Sequence, residues 1–242
     1  MSASPSLLLL HADDALAVFA KPSGLLVHRG WGDDPVTAVD LAREALGGGV
    51  APVHRLDRAT SGVLLFARRP EIAALLQRDL ETGTIEKTYL ALVRGSPPDE
   101  GTIDHPIPRR EDGPRVPAVT RFRTRHRVSP EATAHLPPDV RRASLVEAHP
   151  LTGRLHQVRR HLKHIHHPLI GDANYGKGAL NRLFAEAIGL RRLALHALSL
   201  RLRHPVTGAP LLFTADLPED LVSPLTALHV PPAAWAPDAP DT

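Results

Sequence analysis

Hydrophobic and polar positions along this chain switch between two periods, and each switch marks an element. Leu7 to Leu10 and Ala15 to Ala20 are short apolar runs around the polar turn His11-Ala12-Asp13-Asp14, the pattern of two joined strands. Lys21-Pro22-Ser23-Gly24-Leu25-Leu26-Val27-His28 then predicts a Pro/Gly turn and a return strand. From Val36 to Leu46 the apolar residues recur at helical spacing and stop at Gly47-Gly48-Gly49. No Lys-Ser/Thr follows these glycines and no strand precedes them, so they read as a helix stop and not a phosphate loop. Val63 to Ala67 is a continuous apolar run, as in strands buried on both faces. Pro70 to Leu80 predicts a second amphipathic helix with Ile72, Leu75, Leu76 and Leu80 on one face, ended by Gly83. Thr84 to Arg94 alternates as a strand, which places Lys87 and Tyr89 on the face opposite Thr88, Leu90 and Leu92.

The second half is less regular. Ser96 to Pro117 is rich in Pro, Gly and charge and carries Arg109, Arg110 and Arg115; it predicts an irregular segment, either a disordered linker or a loop that orders on a nucleic acid. Ala118 to Val128 alternates as a strand with Arg121, Arg123, Arg125 and Arg127 along one face. After a Pro/Ala-rich excursion at 130–138, a strand over Arg142 to Ala148 leads to a strongly basic helix from His156 to Lys163. Arg192 to Leu200 is a further strand, followed by a hairpin turn. The compact part is expected to close near residue 222, with 223–242 as a flexible tail.

Composition narrows the function classes. The 242 residues contain no cysteine, which removes disulfides, thiol nucleophiles and thiolate metal sites. The apolar run Leu7 to Leu10 is cut short by His11 and Asp13 and is too brief for a signal peptide or a membrane span, so a cytoplasmic protein with no membrane association is expected. Net charge is only +3, but residues 101–210 hold 19 Lys and Arg against 8 Asp and Glu, the uneven footprint of a nucleic-acid binder.

The chemistry-bearing stretch is His54-Arg55-Leu56-Asp57-Arg58-Ala59-Thr60-Ser61-Gly62, a turn that runs straight into the buried strand. Asp57 thus sits on a loop fixed by a core element, between Arg55 and Arg58, whose charges favour its ionised form. Ser61 lacks the Gly-x-Ser-x-Gly elbow of a serine hydrolase. His161, His164, His166 and His167 cluster in sequence, yet without cysteine or HExxH spacing they do not make a metal motif, and they are expected to face solvent or RNA. Two more segments complete the picture: Glu86 to Gly95, and Leu151 to Leu162 continuing through His167-Pro168-Leu169-Ile170-Gly171-Asp172-Ala173-Asn174-Tyr175-Gly176.

Together with Lys21 to His28 and the Asp57 stretch, these segments resemble the RluA family of pseudouridine synthases over about residues 8–222. The resemblance implies one mixed α/β domain, with a mostly antiparallel sheet in two lobes, flanking helices and a central RNA-binding cleft. The small N-terminal RNA-binding domain of many relatives is not expected. It further implies Asp57 as the catalytic carboxylate, Tyr89 as the platform stacked on the target uracil and Arg154 as the partner of Asp57. Arg55, Arg58, Lys87, Arg121, Arg123, His156, Arg159 and Arg160 are the candidate RNA contacts, with Arg55 placed to fill the space of a flipped base. The isomerisation needs no cofactor and no metal. Whether Asp57 attacks C1′ of the sugar or C6 of the uracil, or acts as a base at C2′, stays open. The variant Val27-His28-Arg29-Gly30-Trp31 and Arg159-Arg160-His161-Leu162 are most similar to the branch that modifies uridine 65 of tRNA, with a ribosomal RNA uridine as the other reading and a catalytically silent RNA-binding protein as the alternative from another class. A monomer without an obligate protein partner is expected.

Overall fold

A computed structural model describes residues 6–29, 34–108 and 113–237; Gly30, Trp31, Arg109 and Arg110 lie outside the described residues. In chain order the elements are β1 (Leu8–Ala12), β2 (Leu16–Lys21), α1 (Ala38–Leu46), β3 (Ala51–Pro52), β4 (Ser61–Ala67), α2 (Pro70–Thr82), β5 (Glu86–Arg94) and β6 (Glu100–Asp104). Then come β7 (Ile107–Pro108), β8 (Arg115–Val116), β9 (Val119–Arg127), α3 (Pro138–Arg141), β10 (Ala143–Pro150), α4 (Gln157–His164), α5 (Gly178–Ile188), β11 (Leu195–Arg203), β12 (Pro210–Thr214) and α6 (Glu219–Ala227). The fold is mixed α/β, and the strand pairs whose register is described run antiparallel. Two compact units divide the chain, residues 1–86 with 197–216 and residues 87–196 with 217–242.

In the first unit β2 pairs with β1 and with β4, running from Leu16 opposite Ala67 to Lys21 opposite Gly62. All seven residues of β4 are buried, as its unbroken apolar run predicts. Leu64, Leu65 and Phe66 are each fully enclosed, and each such burial stabilises by about 2 kcal/mol. Helix α1 starts at a capping box in which Thr37 and Asp40 satisfy each other's backbone, and it stops at Gly47 in the left-handed region. Helix α2 buries Ile72 and Leu76 but leaves Leu75 41% exposed, so its apolar stripe is narrower than the sequence pattern suggests. Gly62 is required at the head of β4: at φ 115° a Cβ there would lie 2.1 Å from the Ala197 carbonyl oxygen. No return strand forms over residues 21–28; this stretch is a turn-rich loop whose polar groups bond to the Asp57 loop and to the start of α1, leaving none for a strand ladder.

The second unit orders its strands β5, β10, β9, β6. The segment 96–117, expected to be irregular, instead contributes β6 and the two-stranded β7–β8 hairpin, because Gly101 to Asp104 finds pairing partners on β9. Nor does the compact fold stop at residue 222. Leu225, Leu228 and Val230 are buried, and Leu221 and Leu225 of α6 join Leu90, Leu92, Leu145 and Leu190 around an apolar cavity. Within Glu219–Ala227 the spacing of Leu221, Pro224 and Leu225 gives the helix one buried face, so the expected tail from 223 is in part a packed helix. Among the described residues no helix is long and apolar enough to cross a membrane.

One carboxylate is buried within this sheet. The register of β9 against β10 slips between Leu145 and Val146, making Arg125 the extra residue of a bulge whose guanidinium turns onto Glu147. Arg123 donates to the same carboxylate at 3.0 Å and His149 lies 2.8 Å away. Burial opposes the charge of Glu147, but the His149 hydrogen bond and the positive charges of His149, Arg125 and Arg123 outweigh it and hold the carboxyl below its ordinary value. Stability from this group is therefore full above pH 4.5, the ordinary value, and is lost as pH falls through the lowered one. Glu147→Gln is expected to cost about 2 kcal/mol in urea unfolding at pH 7, with the difference from wild type shrinking below pH 4.

Candidate active site

In the first unit the Asp57 loop is tied at its base before it turns. Lys21 ends β2 at 2% exposure, and its ammonium donates to the carbonyls of Pro22 at 2.8 Å, Leu25 at 2.8 Å and Arg58 at 3.2 Å. The amide of Gly24 donates to the Arg58 carbonyl at 2.8 Å, Ser23 Oγ donates to the Ala59 carbonyl at 2.9 Å, and Arg58 Nε returns a bond to the Gly24 carbonyl at 3.0 Å. Residues 22–25 and 57–60 are thereby joined as one ledge, closed by the Thr60 amide on the Asp57 carbonyl at 3.0 Å. Asp57 is half-buried on this ledge and Arg55 is exposed. Arg58 directs its guanidinium to Asp34 at 2.7 Å and its Nε to the Gly24 carbonyl.

In the second unit Lys87 and Tyr89 share one face of β5, both half-buried. Desolvation pulls the Lys87 ammonium down to about 8. Arg154 stands exposed on the turn before α4, with Nε donating to the Pro117 carbonyl at 3.1 Å. Its backbone is held by Gln157, a residue the sequence reading passed over. Gln157 Oε1 accepts from the Arg154 amide at 3.0 Å and from Thr152 Oγ1 at 2.7 Å, while Nε2 donates to the Val119 carbonyl at 2.9 Å and to Thr120 Oγ1 at 3.0 Å. A glutamine three residues after the arginine, at a helix start, is the signal that could have found it.

Tyr175 was also missed as a centre in its own right. Its hydroxyl accepts from Arg160 Nε at 2.7 Å and meets His156 Nδ1 at 3.0 Å, and Arg159 and Lys163 lie over its ring at 5.0 and 5.5 Å. His156 takes the left-handed conformation at φ 55°, uncommon for a residue with a side chain, and this bond helps hold it there.

The basic helix divides its charges between structure and surface. Arg159, a candidate RNA contact, is instead 6% exposed and grips the buried Asp172 with two bonds of 2.8 Å, which commits its guanidinium to the fold. Gly171 lets that turn form, since at φ 76° a Cβ would lie 1.8 Å from the Arg192 carbonyl. The arginines of β9 are likewise not a uniform row: Arg121 is exposed, Arg123 and Arg125 hold Glu147, and Arg127 pairs with Asp99 at 2.7 Å. The histidines part too. His161 is fully buried between Thr120 Oγ1 and the His105 carbonyl, contrary to the expected solvent face, and His164 stacks on His105 at 3.7 Å between centroids. Among the described residues no group of three or more His, Asp or Glu side chains is placed to hold a metal ion.

The sequence model of RNA pseudouridylate synthases matches residues 15–164, a span holding the Asp57 ledge, β5 and Arg154. The chain belongs to the RNA pseudouridylate synthase family. It is 41% identical over 230 residues to tRNA pseudouridine synthase C of Salmonella typhimurium, covering 90% of this chain and 88% of that one. The Vibrio cholerae protein of the same name is 39% identical over 224 residues, covering 87% and 91%. Among solved structures, human RNA pseudouridylate synthase domain containing 4 aligns with a TM-score of 0.70 at 29% identity, over 92% of this chain and 93% of that one.

For a pseudouridylate synthase, the Lys21 ledge predicts a specific failure. Lys21→Met removes a buried ammonium from three carbonyls and is expected to cost about 3 kcal/mol of stability in urea unfolding. A loss within 0.5 kcal/mol, the ordinary range for a surface change, would mean that Lys21 does not hold the ledge.

Proposed function

We propose that this pseudouridylate synthase isomerises uridine to pseudouridine in tRNA, at uridine 65. The observation that carries the substrate class is the 41% identity, across 90% of the chain, to a protein named tRNA pseudouridine synthase C. The position within the tRNA rests on the resemblance described from the sequence.

Asp57 is assigned the chemistry. A uridine in paired RNA is out of reach until it is flipped, and flipping costs a few kcal/mol of stacking. Tyr89 is the aromatic platform for the extruded base, Arg55 fills the space it leaves, and Arg154 is the guanidinium that serves the carboxylate. The exposed Arg121 and the half-buried Arg160 and Lys87 offer charge to RNA phosphates. Isomerisation breaks the C1′–N1 bond and forms a C1′–C5 bond; C5 then loses its hydrogen as a proton and N1 takes one up, so atoms and electrons balance without an added reactant. The catalytic domain is assigned residues from both units.

Tritium release from 5-tritiated uridine tests this reading, with unmodified tRNA and ribosomal RNA as separate substrates and Asp57→Ala alongside. Release from tRNA that is lost in Asp57→Ala is the expected result; release from ribosomal RNA alone would overturn the tRNA assignment. A pH series tests Lys87. With its ammonium at about 8 the charge is present below that pH and lost above it. RNA affinity should weaken between pH 7 and 9 in the wild type, and Lys87→Arg, charged throughout, should remove that dependence.

A further inference from the structure

Thr60 is 2% exposed, and its hydroxyl is the one buried side-chain oxygen or nitrogen among the described residues that has no hydrogen-bond partner. Buried polar groups are nearly always paired, because an unpaired one forfeits the bonds it made to water and recovers none. A site that keeps such a group against this cost has a use for it in another state. Three features say which. Thr60 closes the turn that begins at Asp57, through its amide on the Asp57 carbonyl at 3.0 Å, so the two side chains leave opposite ends of one four-residue turn. The two central carbonyls of that turn, those of Arg58 and Ala59, are held by the Lys21 and Ser23 bonds, which leaves side-chain rotation at Asp57 and Thr60 as the available motion. An ionised carboxylate accepts at about four lone-pair positions and so has room for a further donor, and a hydroxyl can turn its proton to suit.

We propose that Thr60 is a positioning residue for Asp57: with uridine bound, its hydroxyl donates a hydrogen bond to the Asp57 carboxylate and fixes the oxygen that reacts. This rests on the assignment of Asp57 as the catalytic group. Catalytic hydrogen bonds are commonly misaligned in the free enzyme and tighten on substrate, which fits a donor that is idle without RNA. The sealed hydroxyl is a carboxylate partner and not a substrate contact, since 2% exposure leaves no surface for RNA to touch.

The test compares Thr60→Val, Thr60→Ser and Asp57→Ala by urea unfolding and by tritium release from unmodified tRNA. Thr60→Val replaces an unpaired hydroxyl with a methyl of the same shape, so it should be at least as stable as wild type. Its kcat should nevertheless fall roughly tenfold to a hundredfold, the range for losing one charge-assisted hydrogen bond, with KM unchanged. Thr60→Ser keeps the donor and should retain most of kcat. A role confined to packing predicts the reverse, unchanged kcat in Thr60→Val and a loss in Thr60→Ser, and that result overturns the proposal. An inactive Asp57→Ala beside a fully active Thr60→Val would sink this inference alone, whereas an active Asp57→Ala would remove the functional reading beneath it.

Discussion

A buried ammonium with three carbonyl partners is the interaction on which the candidate chemistry depends. Lys21 stands where β2 runs out of ladder, and its bonds to Pro22, Leu25 and Arg58 turn two loops into one ledge. A lysine is costly to bury, and it is kept here because its ammonium finds three carbonyl acceptors. The apolar β4 behind the ledge supplies rigidity, and Gly62 lets β4 approach Ala197 closely enough to be packed. Asp57 therefore rests on a loop whose backbone is specified from three sides, the condition for holding a reacting group to within a fraction of an ångström.

The second unit solves a different problem, how to carry a strongly basic surface on a compact body. It does so by spending part of the charge inside. Arg159 neutralises Asp172, Arg125 and Arg123 neutralise Glu147, and Arg192 pairs with Asp220 at 2.9 Å. Such pairs contribute little net stability relative to an apolar core, but losing one partner strands the other, so they fix geometry firmly. What remains outside includes the exposed Arg121, Arg154 and Lys163, which can meet phosphate. The number of basic residues in the sequence thus overstates how many of them can meet phosphate.

Much of this could be read from the chain. Strands β2 and β4 announce themselves by apolar runs, β9 by alternation, and α1 and α2 by their stops at Gly47 and Gly83, because such signals depend on neighbours in sequence. The Asp57 ledge was legible as a turn on a buried strand, but its anchor was not: Lys21 lies 37 residues from Arg58, and a buried lysine looks like any other in one dimension. The missing return strand after Lys21 has the same cause, since long-range bonds claimed the backbone groups a ladder needs. Arg159 and Arg160 look alike as sequence, and only the three-dimensional position of Asp172 separates the buried one that grips it from the half-buried one that bonds Tyr175. Gln157 and Tyr175 escaped for a related reason, as each acts through several partners spread over the unit.

Amide hydrogen exchange on the RNA-free protein tests most directly whether the Asp57 ledge is built before substrate arrives. The amides of Gly24 and Thr60, bonded to Arg58 and Asp57, should exchange at rates close to those of the β4 core. Exchange at the rate of an open loop, with protection appearing only when tRNA is added, would contradict a preformed ledge and make the RNA itself the organiser of the site.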